Sequence, residues 1–256
     1  MNPQHGDSTV ELPAGNVFYR DSGGAGVPIV FLHAASGNSM LWEHQLPAFT
    51  GAGYRFIALD HRAAARGSNS SALIDGVLTR LNIDRCHLLG TAAGGGAALQ
   101  FALAQPQKLH SLVVANSIGF VLDAEYLAMS NRLRPPQSFN QLPVEFRELG
   151  PSYRAAEPAG AARWLDLSSQ KQASAGAKTQ DGGNVEVTWA KLEGLKVPTL
   201  LMTGDADLYT PPSVLRLFTA RMPHAESAVI AETGHSSYWE SPQEFNRAVL
   251  AFLRKH

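Results

Sequence analysis

Six short apolar runs, each bounded by turn residues, dictate most of what this chain can fold into. Ile29 to His33, Phe56 to Asp60, His87 to Gly90, Leu112 to Asn116, Thr199 to Thr203 and Ser227 to Ala231 have strand length rather than helix length. They are apolar nearly throughout instead of alternating, which is the pattern of strands buried on both faces. Such strands pair in parallel and need crossover helices to join them. The intervening segments supply these. Ala93 to Ala104 stops before Gln105-Pro106, and Ser213 to Met222 stops before Pro223. A last helix starts at Ser241-Pro242, with Ser241 as N-cap and Pro242 in the first turn. Its apolar residues Phe245, Val249, Phe252 and Leu253 recur at helical spacing. Thr9 to Leu12 and Val17 to Arg20, around Pro-Ala-Gly-Asn, read as an opening hairpin. The predicted class is α/β, a mostly parallel twisted sheet with flanking helices.

The middle of the chain breaks this rhythm. Residues 118–195 lack strong buried-strand runs and are too long for one crossover. They predict a helical cap, or lid, inserted into a core domain made of residues 1–117 and 196–256. Within it, the polar stretch from Ser168 to Asn184 has the composition of a mobile loop.

Composition narrows the function classes. With 256 residues the chain is long enough for a sizeable core, and a formal net charge of −1 argues against a nucleic-acid partner. Cys86 is the single cysteine, so no internal disulfide ties the fold to an oxidising compartment. The first residues carry neither a positive run nor an apolar core, so no secretory signal is expected, and no apolar run is long enough to span a bilayer. The expectation is a cytoplasmic protein acting on a small molecule, with no membrane partner and a homodimer compatible with the sequence.

Three segments carry the chemistry. After the strand His87 to Leu89 comes Gly90-Thr91-Ala92-Ala93-Gly94-Gly95-Gly96, opening a helix. This resembles the nucleophile elbow, G-x-S-x-G, of the α/β-hydrolase fold superfamily, with Ala92 where the serine stands. Small residues are required there because the turn is tight and strand and helix backbones approach closely. Gly204-Asp205-Ala206-Asp207, followed by Pro211, resembles the family's acid segment and selects Asp207 over its neighbour Asp205. Gly234-His235, followed by Glu240 and Pro242, resembles its histidine segment, and the order nucleophile, acid, base is the family's. Alone, His235 would read as an ordinary core or surface residue. Phe31 to Gly37 is similar to the family's oxyanion segment, with Ala34 in a glycine place. The resemblance implies an oxyanion hole made by the backbone N–H groups of Ala35 and Ala93. His33 reads equally well as a strand-end packing residue. Asp60 to Ser68 resembles a further family loop, with Ala63 and Ala65 at glycine positions, and the stretch from Ser68 to Leu81 looks short for a loop plus a helix.

Alanine cannot be a nucleophile, so the Ser-His-Asp route is closed in this chain as written. Three readings of Ala92 follow. The chain is an inactivated Ser→Ala form of a working hydrolase, a naturally serine-less enzyme (lyase, cyclase or oxygenase) using His235 as base, or a ligand-binding receptor. Retention of Asp207, His235 and the small-residue elbow favours the first. The run Gly234-His235…Trp239-Glu240 and the segment Glu244 to Leu253 are similar to small hydrolases that cleave carbon–carbon bonds of vinylogous diketones, although esterases and lactonases share them. The resemblance implies an ester, lactone or C–C substrate, with no cofactor and no metal. Candidate substrate-binding residues are Tyr126, Met129 and Trp164 in the cap, with Tyr209, Ser236 and Trp239 near the acid and the base. Tyr126 and Met129 share one helical face, and Arg132 and Arg134 are candidate anion partners. Such apolar stripes are more often packing than pocket, and such arginines more often solvated.

Overall fold

The apolar runs become strands that alternate their side chains between two cores. A computed structural model describes residues 6–12, 15–60, 70–117, 119–170 and 185–256. The strands are β1 (Gly6–Leu12), β2 (Gly15–Asp21), β3 (Pro28–Leu32), β4 (Arg55–Leu59), β5 (Cys86–Thr91), β6 (Leu109–Ala115), β7 (Thr199–Gly204) and β8 (Glu226–Ile230). They form one eight-stranded sheet in the order β1-β2-β4-β3-β5-β6-β7-β8. The pairs β1/β2 and β2/β4 are antiparallel and the remaining pairs are parallel. The opening hairpin is thus present, in a register that pairs Val10 with Val17.

Helices cover both faces. On one face, α2 (Ser70–Arg80), α3 (Ala93–Ala104) and α10 (Pro212–Arg221) pack Ile74, Val77, Leu99, Val214 and Phe218 against Val30, Leu32, Leu88 and Val114. On the other face lie α1 (Gln45–Gly51), α11 (Ser237–Glu240) and α12 (Pro242–Leu253). There Phe49, Phe245 and Val249 pack against Ile29, Phe31, Leu89 and Val113. Adjacent residues of β3 therefore serve opposite cores, as strand geometry requires. The outermost strand β8 departs from the expected burial on both faces. It pairs only with β7 among the described strands, and Val229 is half exposed. Residues Ser70–Arg80 form a full helix, so the segment expected to be short accommodates one.

Between β6 and β7 lie α4 (Ala124–Leu133), α5 (Pro136–Phe139), α6 (Val144–Glu148), α7 (Pro151–Ala156), α8 (Pro158–Ser169) and α9 (Trp189–Glu193). These helices are anchored to both cores. Tyr126 of α4 stacks edge-on against Trp189 of α9 and Phe218 of α10, with ring centroids 5.3 and 5.9 Å apart. Trp164 of α8 is fully buried in the opposite core, and Asn38 donates to the carbonyl of Leu167 at 2.7 Å. The loop with Ala63 and Ala65, and most of the polar stretch after Ser169, lie outside the described residues. No helix of the described residues is long and apolar enough to cross a membrane.

Candidate active site

Ligands of open α/β sheets bind beyond the carboxyl ends of the strands, where successive strands diverge. Here β3 has β4 on one side and β5 on the other, and the segments leaving β3 and β5 frame a cavity of about 380 Å³. That size suits a small molecule. Ala35 follows β3, and Ala92 and Ala93 follow β5; all three line the cavity.

Ala92 alone turns strand into helix, with φ 51° and ψ −116°. An alanine in that conformation carries strain of about 1–3 kcal/mol and persists only where its surroundings dictate it. They do. Its N–H donates to the Ala115 carbonyl at 3.0 Å. Its carbonyl accepts from the N–H groups of Gly95 and Gly96 and from Ser117 Oγ at 2.6 Å. The flanking glycines have a steric cause. A Cβ on Gly90 would stand 2.2 Å from the Gly94 carbonyl oxygen, and one on Gly94 would stand 2.3 Å from that of Leu32. The Ala93 N–H opens α3 and has no partner within the helix. Among the described residues no partner is found for the N–H of Ala35 or of Ala93, which leaves two backbone donors at the cavity wall.

The opposite wall is polar. His235 sits in the loop between β8 and α11, 5% exposed, with Nδ1 at 3.0 and 2.9 Å from the two carboxylate oxygens of Asp207. Asp207, in the loop after β7, is 2% exposed, whereas Asp205 is exposed. Asp207 also accepts from the N–H groups of Tyr209 and Thr210 at 2.7 and 3.0 Å. Thr210 Oγ1 at 2.5 Å, Asn116 Nδ2 at 3.0 Å and Thr203 Oγ1 at 3.3 Å complete its shell. Burial alone would raise its carboxyl, but the His235 imidazole and these donors hold it well below the usual carboxylate range. Burial works against a charged His235, yet the Asp207 carboxylate holds its imidazole above the ordinary value. An ionised Asp207 can only accept, so Nδ1 carries a proton, and in the neutral imidazole it is Nε2 that keeps its lone pair. The Tyr209 ring stacks on His235 with centroids 4.2 Å apart. Glu240 fixes the loop from below. Its carboxylate accepts from the N–H groups of Gly234 and Ser236, which flank His235, and from Gly150 at 2.7 Å.

The structure brings together Ala35, Ala92, Ala93, Tyr209 and His235 around the cavity, with Asp207 directly behind His235. It does not bring the other candidates there. Tyr126 and Met129 belong to the core beneath α4, and Trp164 is fully buried against the opposite core. Trp239 is 2% exposed and donates to the Gly160 carbonyl, while Ser236 is buried in the turn leading to α11. The side chains of Tyr126, Met129, Trp164 and Trp239 are consumed in packing the helices onto the two cores. Ala34 is buried beneath the cavity wall, and its carbonyl lies 2.7 Å from His33 Nδ1. Arg134 lines the cavity; Arg132 is exposed.

Sequence reasoning missed Asn116, Phe120, Val144, Arg147 and Glu148, all on the cavity wall. Asn116 had a signal, because it stands at the carboxyl end of a buried strand. Glu148 had none, since an acid in a short helix reads as a solvated one. Among the described residues no group of three or more His, Cys, Asp or Glu side chains could hold a metal ion.

Comparison with known proteins agrees with this architecture. A family model described as alpha/beta hydrolase fold matches residues 27–242. A 2-hydroxy-6-oxononadienedioate/2-hydroxy-6-oxononatrienedioate hydrolase of Burkholderia vietnamiensis is 26% identical, over 93% of this chain and 91% of that protein. Among solved structures, a thermophilic esterase from Thermogutta terrifontis superposes with a TM-score of 0.75 at 19% identity, covering 98% of both chains. The enol-lactonase from Burkholderia xenovorans gives 0.75 at 19% identity, over 96% of this chain and all (100%) of that one. Both likenesses are of fold.

Proposed function

The chain belongs to the alpha/beta hydrolase fold family, and from that premise we propose that its cavity binds a small ester, lactone or vinylogous diketone as a serine-type hydrolase does. Ala92 occupies the nucleophile position, so the chain is the Ser→Ala form of such a site and is silent for acyl transfer. The observation that carries this reading is the backbone of Ala92, held at φ 51° and ψ −116° on the cavity wall. Such strain is understandable where a side chain at that point must face a substrate.

With a hydroxyl at position 92, His235 takes its proton while Asp207 holds the imidazole in the productive tautomer. The oxygen attacks the substrate carbonyl, and the charge that develops is received by the N–H groups of Ala35 and Ala93. His235 returns the proton to the leaving group, and water releases the acyl group through the same base. In this chain the Ala92 methyl leaves binding in place and removes the first step. The hydrolase activity of the B. vietnamiensis relative supports a C–C or ester substrate. In this reading residues 118–195 are the cap over the site, residues 1–117 and 196–256 are the core domain, and the protein acts in the cytoplasm.

Ala92→Ser is expected to release p-nitrophenol from p-nitrophenyl acetate at least about 10³-fold faster than the unmodified chain, and His235→Ala in that background to abolish the gain. No turnover from a folded A92S chain contradicts the proposal.

A further inference from the structure

Residues 118–195 hold five arginines, and these divide by what answers their charge. Arg163 is exposed and forks onto the two carboxylate oxygens of Glu43 at 2.9 and 2.6 Å. Arg154 lies over the Phe146 ring and donates to the Leu149 carbonyl, and Arg132 is exposed. Arg134 and Arg147 differ. Both are half-buried and line the cavity, and neither forms an ion pair among the described residues.

Both are nonetheless held in place. The Arg134 guanidinium lies 5.6 Å from the centroid of the Tyr209 ring, and its Nη2 donates to Ser130 Oγ. That of Arg147 lies 5.9 Å from the centroid of Phe139, and its Nη1 donates to the Tyr209 hydroxyl at 3.3 Å. Nη1 of Arg134 and Nη2 of Arg147 have no partner among the described residues and are not walled off by them. Burial pulls the Arg134 guanidinium below its ordinary value, with Tyr126, Tyr209 and Asp207 pulling the other way. A half-buried cation loses part of its hydration, and a ring face restores little of that loss. The carboxyl on the same wall does not answer these charges. Glu148 accepts at Oε1 from the hydroxyls of Ser36 and Tyr209, both at 3.3 Å, and burial pushes it up.

We infer that Arg134 and Arg147 form an anion subsite, and that the small carbonyl compound taken by the cavity carries a carboxylate. This rests on the preceding reading of the site, in which the carbonyl oxygen lies between the Ala35 and Ala93 N–H groups. Tyr209 sets the geometry, because its ring stacks on His235 with centroids 4.2 Å apart while it also contacts both guanidiniums. The carboxylate therefore lies beside the base, a few bonds from the carbonyl, and accepts from the open Nη groups. A planar anion with two acceptor oxygens suits guanidinium edges fixed in advance. A neutral compound of the same length displaces water from two cations and pairs neither, which is the basis of rejection.

The test measures binding to the unmodified chain, which in that reading holds an ester without consuming it. Monomethyl glutarate and dimethyl glutarate, an anion and its neutral counterpart, are titrated at neutral pH by calorimetry. The monoester is expected to bind at least about 10-fold more tightly, the scale of hydrogen bonds to a charged group. In R134Q and in R147Q, each checked for folding by its thermal midpoint, the ratio of the two affinities should fall toward one. R134K and R147K keep the charge and should retain part of it. Because the ratio is taken within one protein, a general loosening of the wall does not move it. Equal binding of the two esters by the unmodified chain, binding of neither, or a ratio that survives in the R134Q/R147Q double variant overturns the inference. Hydrolysis of p-nitrophenyl acetate by A92S separates it from the reading beneath it. With that activity present and no preference for the monoester, only the anion subsite falls. With the preference present and that activity absent, the subsite stands and the serine route falls.

Discussion

The elbow and the base loop face each other across one cavity and are held by different forces. At the elbow the holding is steric: Gly90 and Gly94 allow backbones to approach so closely that a Cβ would overlap a carbonyl oxygen. At the base loop it is polar: Asp207, Asn116, Thr203 and Thr210 form one buried hydrogen-bonded network, and Glu240 ties three backbone amides. The difference explains how the two walls tolerate change. A sterically held turn keeps its shape when its side chain loses an oxygen, because the side chain was never part of what held it. A polar network has no such tolerance, since removing one member strands the others at about 1–3 kcal/mol per buried group. On the proposed reading, the site therefore lacks its nucleophile and still presents an oriented base.

Breaking the steric wall should have the largest effect. Gly94→Ala would set a methyl 2.3 Å from the Leu32 carbonyl oxygen. The chain should lose about 3 kcal/mol in denaturant unfolding, since neither strand nor helix can move aside without opening the elbow. A smaller effect is expected at the polar wall. Burial pushes the Glu240 carboxyl up to about 7, against the backbone N–H groups of Gly234, Gly150 and Ser236. The folded carboxyl then keeps its proton where the unfolded one has lost it, so this group lowers stability as pH rises from about 4.5 to 7. Thermal midpoints across that range should fall more steeply in the unmodified chain than in Glu240→Gln, by the equivalent of about 2 kcal/mol. Equal slopes would place the Glu240 titration elsewhere. The smallest effect sharpens the comparison. Ala92→Gly frees the strained φ and should raise stability by about 1 kcal/mol, or roughly 2–4 °C in midpoint. A drop instead would mean that the Ala92 methyl packs into the wall.

The same division decides what could be read from the sequence. The elbow was legible because sterics write themselves as residue types: only glycine satisfies Gly90 and Gly94. Asp207 and His235 were legible because each stands just past an apolar run, with the glycines and prolines of the family's acid and histidine segments around it and in the family's order. The cavity wall was not. Tyr126 and Met129 share a helical face, but spacing says only that a face is buried, and this one is buried against Trp189 and Phe218. Trp164 and Trp239 likewise anchor helices rather than ligands. Glu148 carried no mark at all, because its burial arises from α6 folding over the loops after β3 and β7. The edge exposure of β8 was equally unreadable, since the order of strands in a sheet is a property of the whole chain.

The central claim is that this site is intact except for one oxygen atom. The most direct measurement is the intact mass and peptide map of the A92S chain after exposure to an alkyl fluorophosphonate, beside the unmodified chain and A92S/H235A. The account predicts one adduct per A92S molecule, located at position 92, none on the unmodified chain, and far slower labelling without His235. An A92S chain that folds and remains unlabelled, or is labelled elsewhere, would contradict it.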